Sequence, residues 1–210
     1  MEMFYSEDRL EAGIDEVARG CLAGPVYSAV VIWPKSLDLS EIHYELRDSK
    51  KLSKKRREFL KDYIEETAID FSVSCVDNRV IDKVYILNAT YKAMHEAIDN
   101  LNVEPDLLLV DGDKFKPYYN RNNELIEHKC IVKGDSKLYS IAAASILAKV
   151  YHDNYIEELL ENEPELKKYG WDSNMCYGTE THINAIKTYG ISKYHRKTFG
   201  ICKEYPENKN

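Results

Sequence analysis

The order of apolar and polar positions predicts a chain that begins as a sheet and ends as helices. Ala12 to Val17 reads as a strand that carries two adjacent acids, Asp15 and Glu16. A Gly/Pro-rich connection, Arg19-Gly20-Cys21-Leu22-Ala23-Gly24-Pro25, leads into the apolar run Val26 to Trp33, a second strand that Pro34 ends. So short a connection suits an antiparallel pair. After a polar, irregular stretch over 35–52, Ser53 is the expected N-cap of a helix over about Lys54 to Glu66, with Phe59, Leu60, Tyr63 and Ile64 on its apolar side. A third strand fits Ile69 to Val76. A helix fits about Val84 to Leu101, because Ile86, Ala89, Ala93, Ala97 and Leu101 recur at spacings of three and four.

The unbroken run Leu107 to Val110 reads as a central strand covered on both faces, closed by Asp111-Gly112-Asp113. A polar loop over 114–124 and a strand over about His128 to Val132 follow. Lys133-Gly134-Asp135-Ser136 then opens a long helix from Ser140 to about Glu161, whose stripe of Ala144, Ala148, Tyr151, Tyr155 and Leu159 predicts close packing on the sheet. The last helix is expected over Glu180 to Tyr189, stopped by Gly190. Residues 1–11 read as a loose lead-in and 203–210 as a frayed polar tail. The expectation is one α/β domain over 1–210: a core over about 1–160, a helical C-terminal part over about 161–202, and the tail.

Composition narrows the class. Hydrophobic content of 44% with 31% charged residues describes a soluble globular chain, and no apolar run reaches the roughly 18 residues of a membrane span. The acidic N-terminus lacks a signal-peptide core, so a cytoplasmic location is the default. The cysteines Cys21, Cys75, Cys130, Cys176 and Cys202 are odd in number and form no C-x-x-C pair, which speaks against disulfides or structural zinc and for buried thiols. A net charge of −7 argues against a generally basic nucleic-acid binder. It leaves room for local basic tracks: Arg47 to Lys61 holds eight Lys/Arg, and Lys193 to Lys203 holds four plus His195. The default for each run is a solvated face.

The acids carry the chemistry. An isolated buried charge is costly unless paired or bound to metal. Asp15 and Glu16 in the first strand and turn, Asp111 at the end of the central strand and Asp135 before the long helix can converge at one sheet edge, where ligand sites of α/β folds lie. Four carboxylates suit two Mg²⁺ or Mn²⁺ ions about 4 Å apart, the arrangement used for in-line phosphoryl displacement. Taken singly, Asp111-Gly112 also reads as a turn and Asp135-Ser136 as a helix cap. Likewise, Lys149 and Asp153 are spaced for a helix salt bridge, and His182 and His195 read as satisfied histidines.

Six ordered blocks resemble the type 2 ribonucleases H, the bacterial ribonuclease HII family. They are Gly13-Ile14-Asp15-Glu16 with Arg19-Gly20 and Leu22 to Val26; Asp48-Ser49-Lys50-Lys51-Leu52-Ser53; Ile86 to Thr90; Val110-Asp111-Gly112; Lys133 to Ser136 with Ser140 to Val150; and Tyr177-Gly178-Thr179 with His182, then His195 to Gly200. The resemblance covers about residues 12–200. It implies a ribonuclease H-like fold, a mixed and mostly five-stranded sheet flanked by helices with a helical C-terminal extension. The implied activity is cleavage of RNA in RNA–DNA hybrids and incision 5′ to single ribonucleotides in duplex DNA, leaving 3′-hydroxyl and 5′-phosphate ends. A monomer is expected. The resemblance makes Asp15, Glu16, Asp111 and Asp135 the catalytic, metal-binding acids. It places the backbone of Ala18, Arg19 and Gly20 on the ribose 2′-hydroxyl, Tyr177 on the sugar, and Lys50, Lys51, Asn88 and Thr90 on phosphates. Two positions depart from the family pattern: Ala18 and Cys176 stand where Gly is usual. A positive φ at Ala18 would cost about 1 kcal/mol or more and weaken junction recognition. The rival readings are a non-catalytic hybrid-binding protein and another carboxylate-metal nuclease.

Overall fold

The computed structural model describes residues 1–36, 42, 46 and 52–207. Strand β1 (Glu11–Val17) pairs antiparallel with β2 (Val26–Ile32), as the short connection between them implies. Helix α1 (Lys54–Thr67) starts where Ser53 accepts the Arg56 N–H. Strand β3 (Asp70–Val76) adds to β2, and helix α2 (Asn78–Asp99) returns across the sheet. Strand β4 (Leu107–Asp111) lies parallel to β1 and to β6 (Leu125–Ile131), and a two-residue β5 (Tyr118–Tyr119) pairs with β6. The order is β3-β2-β1-β4-β6-β5. Among the described residues the sheet is thus six-stranded, one more than expected, because a short strand forms inside the loop that polar composition hid.

Helix α2 also departs from expectation. It begins six residues early, where Asp77 caps the Val80 N–H at 2.8 Å, and it breaks at Tyr85 (φ 64°, ψ 157°). The long helix α3 (Tyr139–Asn162) covers one face of the sheet, where Ala143, Ala144 and Leu147 meet Ala29 and Val31, with Leu60 and Ile64 of α1 outside. Helix α2 covers the other face, where Met94, Ala97 and Ile98 meet Ile14, Val30, Leu108 and Val110. Strand alternation therefore assigns Ile14 to the α2 side and Gly13 and Asp15 to the α3 side.

Gly13 is where β1 and α3 touch. A Cβ there would lie 2.3 Å from the Ser140 carbonyl carbon and 2.5 Å from the Ile141 nitrogen, so only glycine admits this approach. The one-turn helix α4 (Trp171–Asn174) and helix α5 (Glu180–Tyr189) complete the C-terminal part. Its core joins Leu166, Tyr169, Trp171 and Ile186 to Ile156 and Leu160 of α3 and to Cys21 and Ala23 of the β1–β2 connection. The end of the chain is tied rather than frayed as far as Glu207: the Ile191 N–H donates to Pro206 at 3.1 Å, and Ile191 bridges Glu207. Among the described residues no helix is long and apolar enough to cross a membrane.

Candidate active site

One cleft of about 410 Å³ collects Asp15, Glu16 and Asp111 with Ala18, Arg19, Gly20 and Tyr177. The sheet builds its floor. In the parallel β1–β4 ladder Ile14 pairs with Val110, so the next residues, Asp15 within β1 and Asp111 at the end of β4, stand side by side on adjacent strands. Asp15 is buried against α3 and accepts from Ser145, while Glu16 accepts from Arg19 at 3.0 Å. Burial first, then the charges of Glu16 and Asp111, hold the Asp15 carboxyl well above the usual range. Burial raises Glu16 too, with Arg19 pulling the other way.

Asp135 is not among the residues lining that cleft. It sits in a 3₁₀ turn, Gly134–Ser136, entered through left-handed Lys133 (φ 56°). That turn is fastened to the floor, because the Gly134 N–H donates to Asp111 Oδ1 at 2.6 Å. Gly112 (φ 106°) turns the chain after Asp111, and Asp113 is exposed. The donor set fits a hard divalent cation in kind: all carboxylate oxygens, crowded enough that Asp15 resists ionising without a counter-charge. Among the described residues no three His, Cys, Asp or Glu side chains already close on one point.

The wall of the cleft is irregular backbone. Ala18 has φ 69° and Cys176 φ 66°, so both positions where the resemblance leads one to expect glycine adopt the left-handed backbone that glycine favours. Met175, at φ 45°, is left-handed as well. The turn from 18 to 25 is sewn to two later segments. The Leu22 N–H donates to Cys176 and the Gly24 N–H to Tyr194, both at 2.9 Å; the Arg196 N–H donates to Leu22 at 2.8 Å. Tyr177 bridges Cys21 and stands partly exposed at the cleft; burial of its phenol, with Cys21 adding, pushes its pKa up to about 12.

Behind Tyr177 lies a buried histidine pair. The Tyr177 carbonyl accepts from His182 Nδ1 at 3.0 Å, and His195 Nδ1 accepts the Ser192 N–H at 2.9 Å. Those partners require His182 to carry its proton on Nδ1 and His195 on Nε2, so His195 donates across the 3.0 Å Nε2–Nε2 contact, which Trp171 Nε1 also joins. Burial, then the facing ring, pushes His195 down to about 3, and burial lowers His182. The pair is neutral and structural.

The predicted phosphate contacts fare differently. Lys50 and Lys51 lie outside the described residues. Asn88 is exposed and not among the cleft-lining residues, its amide donating to Val84 at 2.8 Å beside the Tyr85 break. Thr90 is buried and its hydroxyl donates to Ile86 at 2.8 Å, so helix geometry consumes the group expected to hold a phosphate. Three residues without an expected role matter instead. Arg57 and Lys149 line the cleft and share Asp153, Lys149 at 2.7 Å as its helical spacing foretold and Arg57 at 3.8 Å. Only the (i, i+4) spacing of Ser145 and Lys149 could have hinted that both face the acids. Arg196, expected within a solvated basic run, is fully buried. The cysteines divide as well: Cys21, Cys176 and Cys202 are buried, but Cys75 is exposed.

Comparison with known proteins agrees with this geometry. The family model for ribonuclease HII matches residues 12–202. The chain is 49% identical to ribonuclease HII of Cytophaga hutchinsonii over 93% of its length and 92% of that protein's, and 48% identical to that of Christiangramia forsetii over 96% of each. Among solved structures, ribonuclease H2 of Pyrococcus horikoshii superposes with a TM-score of 0.71 at 24% identity, covering 92% of this chain and 95% of that one. The RNase HII of Archaeoglobus fulgidus, solved in complex with PCNA, gives 0.71 at 25% identity, covering 91% and 95%. A Bst-RNase HIII solved with Mn²⁺ shares the fold at 0.65 and 18% identity, covering 93% and 68%. An acid-floored cleft, a ribonuclease H-like sheet and these matches together make this chain a member of the ribonuclease HII family of metal-dependent endoribonucleases.

Proposed function

We propose that this enzyme cleaves RNA in RNA–DNA hybrids and incises duplex DNA 5′ to single embedded ribonucleotides, leaving 3′-hydroxyl and 5′-phosphate ends. The observation that carries the reading is that Asp15, Glu16 and Asp111 share one cleft with the Ala18–Gly20 turn and Tyr177. Acids that can hold cations beside the scissile phosphate thus stand next to groups that can inspect one sugar. Asp15, Glu16, Asp111 and Asp135 would hold two divalent ions, Mg²⁺ or Mn²⁺, which when bound supply activation of water and stabilisation of the leaving oxygen.

The chain's own residues do the rest. The backbone of Ala18, Arg19 and Gly20 meets the 2′-hydroxyl, the group that distinguishes RNA from DNA. Tyr177 packs on the adjoining sugar. Arg57 and Lys149, together with Lys50 and Lys51, offer positive charge to the phosphates without reading base sequence. Asn88 remains a phosphate contact in this reading and Thr90 does not. The protein acts as a monomer in the cytoplasm. The test is cleavage of three duplexes with Mg²⁺ or Mn²⁺: one with a single ribonucleotide, a continuous hybrid, and all DNA. Cutting of the first two with the third intact is expected; equal cutting of all three would replace this reading with that of a general nuclease.

A further inference from the structure

The buried guanidinium of Arg196 has an unusual set of partners. Its Nε donates to the Gly24 carbonyl at 3.0 Å, one Nη to Arg19 at 3.0 Å, and the other Nη to Ala18 at 2.8 Å and Pro25 at 3.1 Å. All four acceptors are carbonyls of the turn between β1 and β2. A fully buried charge needs such satisfaction to be tolerated. The arrangement also does something to the turn. A trans peptide points its C=O and N–H in opposite directions. With the Ala18 and Arg19 carbonyls drawn inward to Arg196, the N–H groups of Arg19 and Gly20 lie on the opposite side of their peptide planes, and both residues line the cleft.

Arg196 is itself held in place. Asn78 Nδ2 donates to the His195 carbonyl at 3.1 Å, and Asp82 accepts the N–H groups of Lys197 and Thr198 at 2.9 Å each. The guanidinium thus works as a rigid fork between the start of α2 and a turn that contains a left-handed alanine.

We infer that Arg196 is a positioning residue for ribose recognition, one that never touches substrate but aims the Arg19 and Gly20 N–H groups at the 2′-hydroxyl. This rests on the functional reading above. A single embedded ribonucleotide offers that turn one hydroxyl in one register, whereas a continuous hybrid offers a hydroxyl at every step. Loosening the turn must therefore penalise the single ribonucleotide more.

The test compares the full-length wild type with Arg196→Lys and Arg196→Gln on the single-ribonucleotide duplex, the continuous hybrid and the all-DNA control, in Mn²⁺. Lysine keeps the charge but cannot fork to four carbonyls. The single-ribonucleotide kcat/KM should fall about tenfold or more beyond any fall on the hybrid, the loss expected for one misaligned hydrogen bond to the reacting sugar. Equal losses on both substrates, as a purely structural role would give, or an unchanged ratio, overturn the inference. A wild type that cuts neither ribose-containing substrate overturns the functional reading itself. If neither variant folds, wild-type protein with ¹⁵N-labelled arginine decides in EDTA. The buried Arg196 Nε–H resonance should shift with the single-ribonucleotide duplex and not with its 2′-deoxy counterpart; equal shifts with both, or none, overturn the inference.

Discussion

The cleft has a floor and a wall, and they are made by different means. The floor is regular: Asp15 and Asp111 lie side by side on neighbouring parallel strands, and α3 lies against β1 because Gly13 has no side chain. The wall is irregular: Ala18, Met175 and Cys176 are left-handed, and the turn is fixed by Arg196 and by segments more than 150 residues away in sequence. The floor holds its acids through the ladder, where every residue's position is implied by its neighbours. The wall holds its shape through individual hydrogen bonds, with the Arg196 side chain and with the backbone of distant segments. On the functional reading proposed above, chemistry would rest on the robust part of the cleft and substrate choice on the adjustable part.

That division can be broken experimentally. The largest effect is expected from Asp111→Asn, which removes a floor charge but keeps its shape. Single-turnover cleavage should slow at least about a hundredfold with the thermal midpoint nearly unchanged, and near-normal turnover would remove Asp111 from the chemistry. Next is Gly13→Ala, which forces α3 off β1. A loss of about 2 kcal/mol in urea unfolding is expected, along with a fall in activity on every substrate alike. A smaller, pH-dependent effect comes from the wall. His195 sits near 3 and His182 below its usual range, while both titrate near 6.5 when unfolded. Folded pKa values that are depressed mean the contribution to stability is full above about 6.5 and is lost as pH falls from there toward the folded values, at up to about 1.4 kcal/mol per pH unit for each histidine. Urea midpoints at pH 7 and 5.5 should show that slope, and His182→Asn with His195→Asn should flatten it. The smallest change is Ala18→Gly. It relieves a left-handed alanine worth about 1 kcal/mol and should raise the preference for a single ribonucleotide over a hybrid; an unchanged ratio would show that the wall already tolerates its Cβ.

The same contrast explains what the sequence disclosed. The strands Ala12 to Val17, Val26 to Trp33 and Ile69 to Val76 and the helix over Glu180 to Tyr189 match the structure to within a residue, because burial imposes their periodicity directly. The acids were legible because charge at the end of an apolar strand is conspicuous. The start of α2 was not, since Asp77 as a cap looks like any acid in a polar segment, and β5 is too short for alternation to register. Arg196 was hidden most thoroughly. A lysine-rich neighbourhood reads as a wet surface, and only the folded chain reveals four carbonyls gathered around one guanidinium.

The bonds from Arg196 to the turn at Ala18 span 178 residues. Contacts of that range are the slowest to form in a folding chain. A ribosome releasing this protein N-terminus first exposes Asp15, then Asp111, then α3, and supplies Arg196 only after all three. The tie that fixes the turn at Ala18 therefore forms only once the strands and the long helix of the cleft floor have already been made.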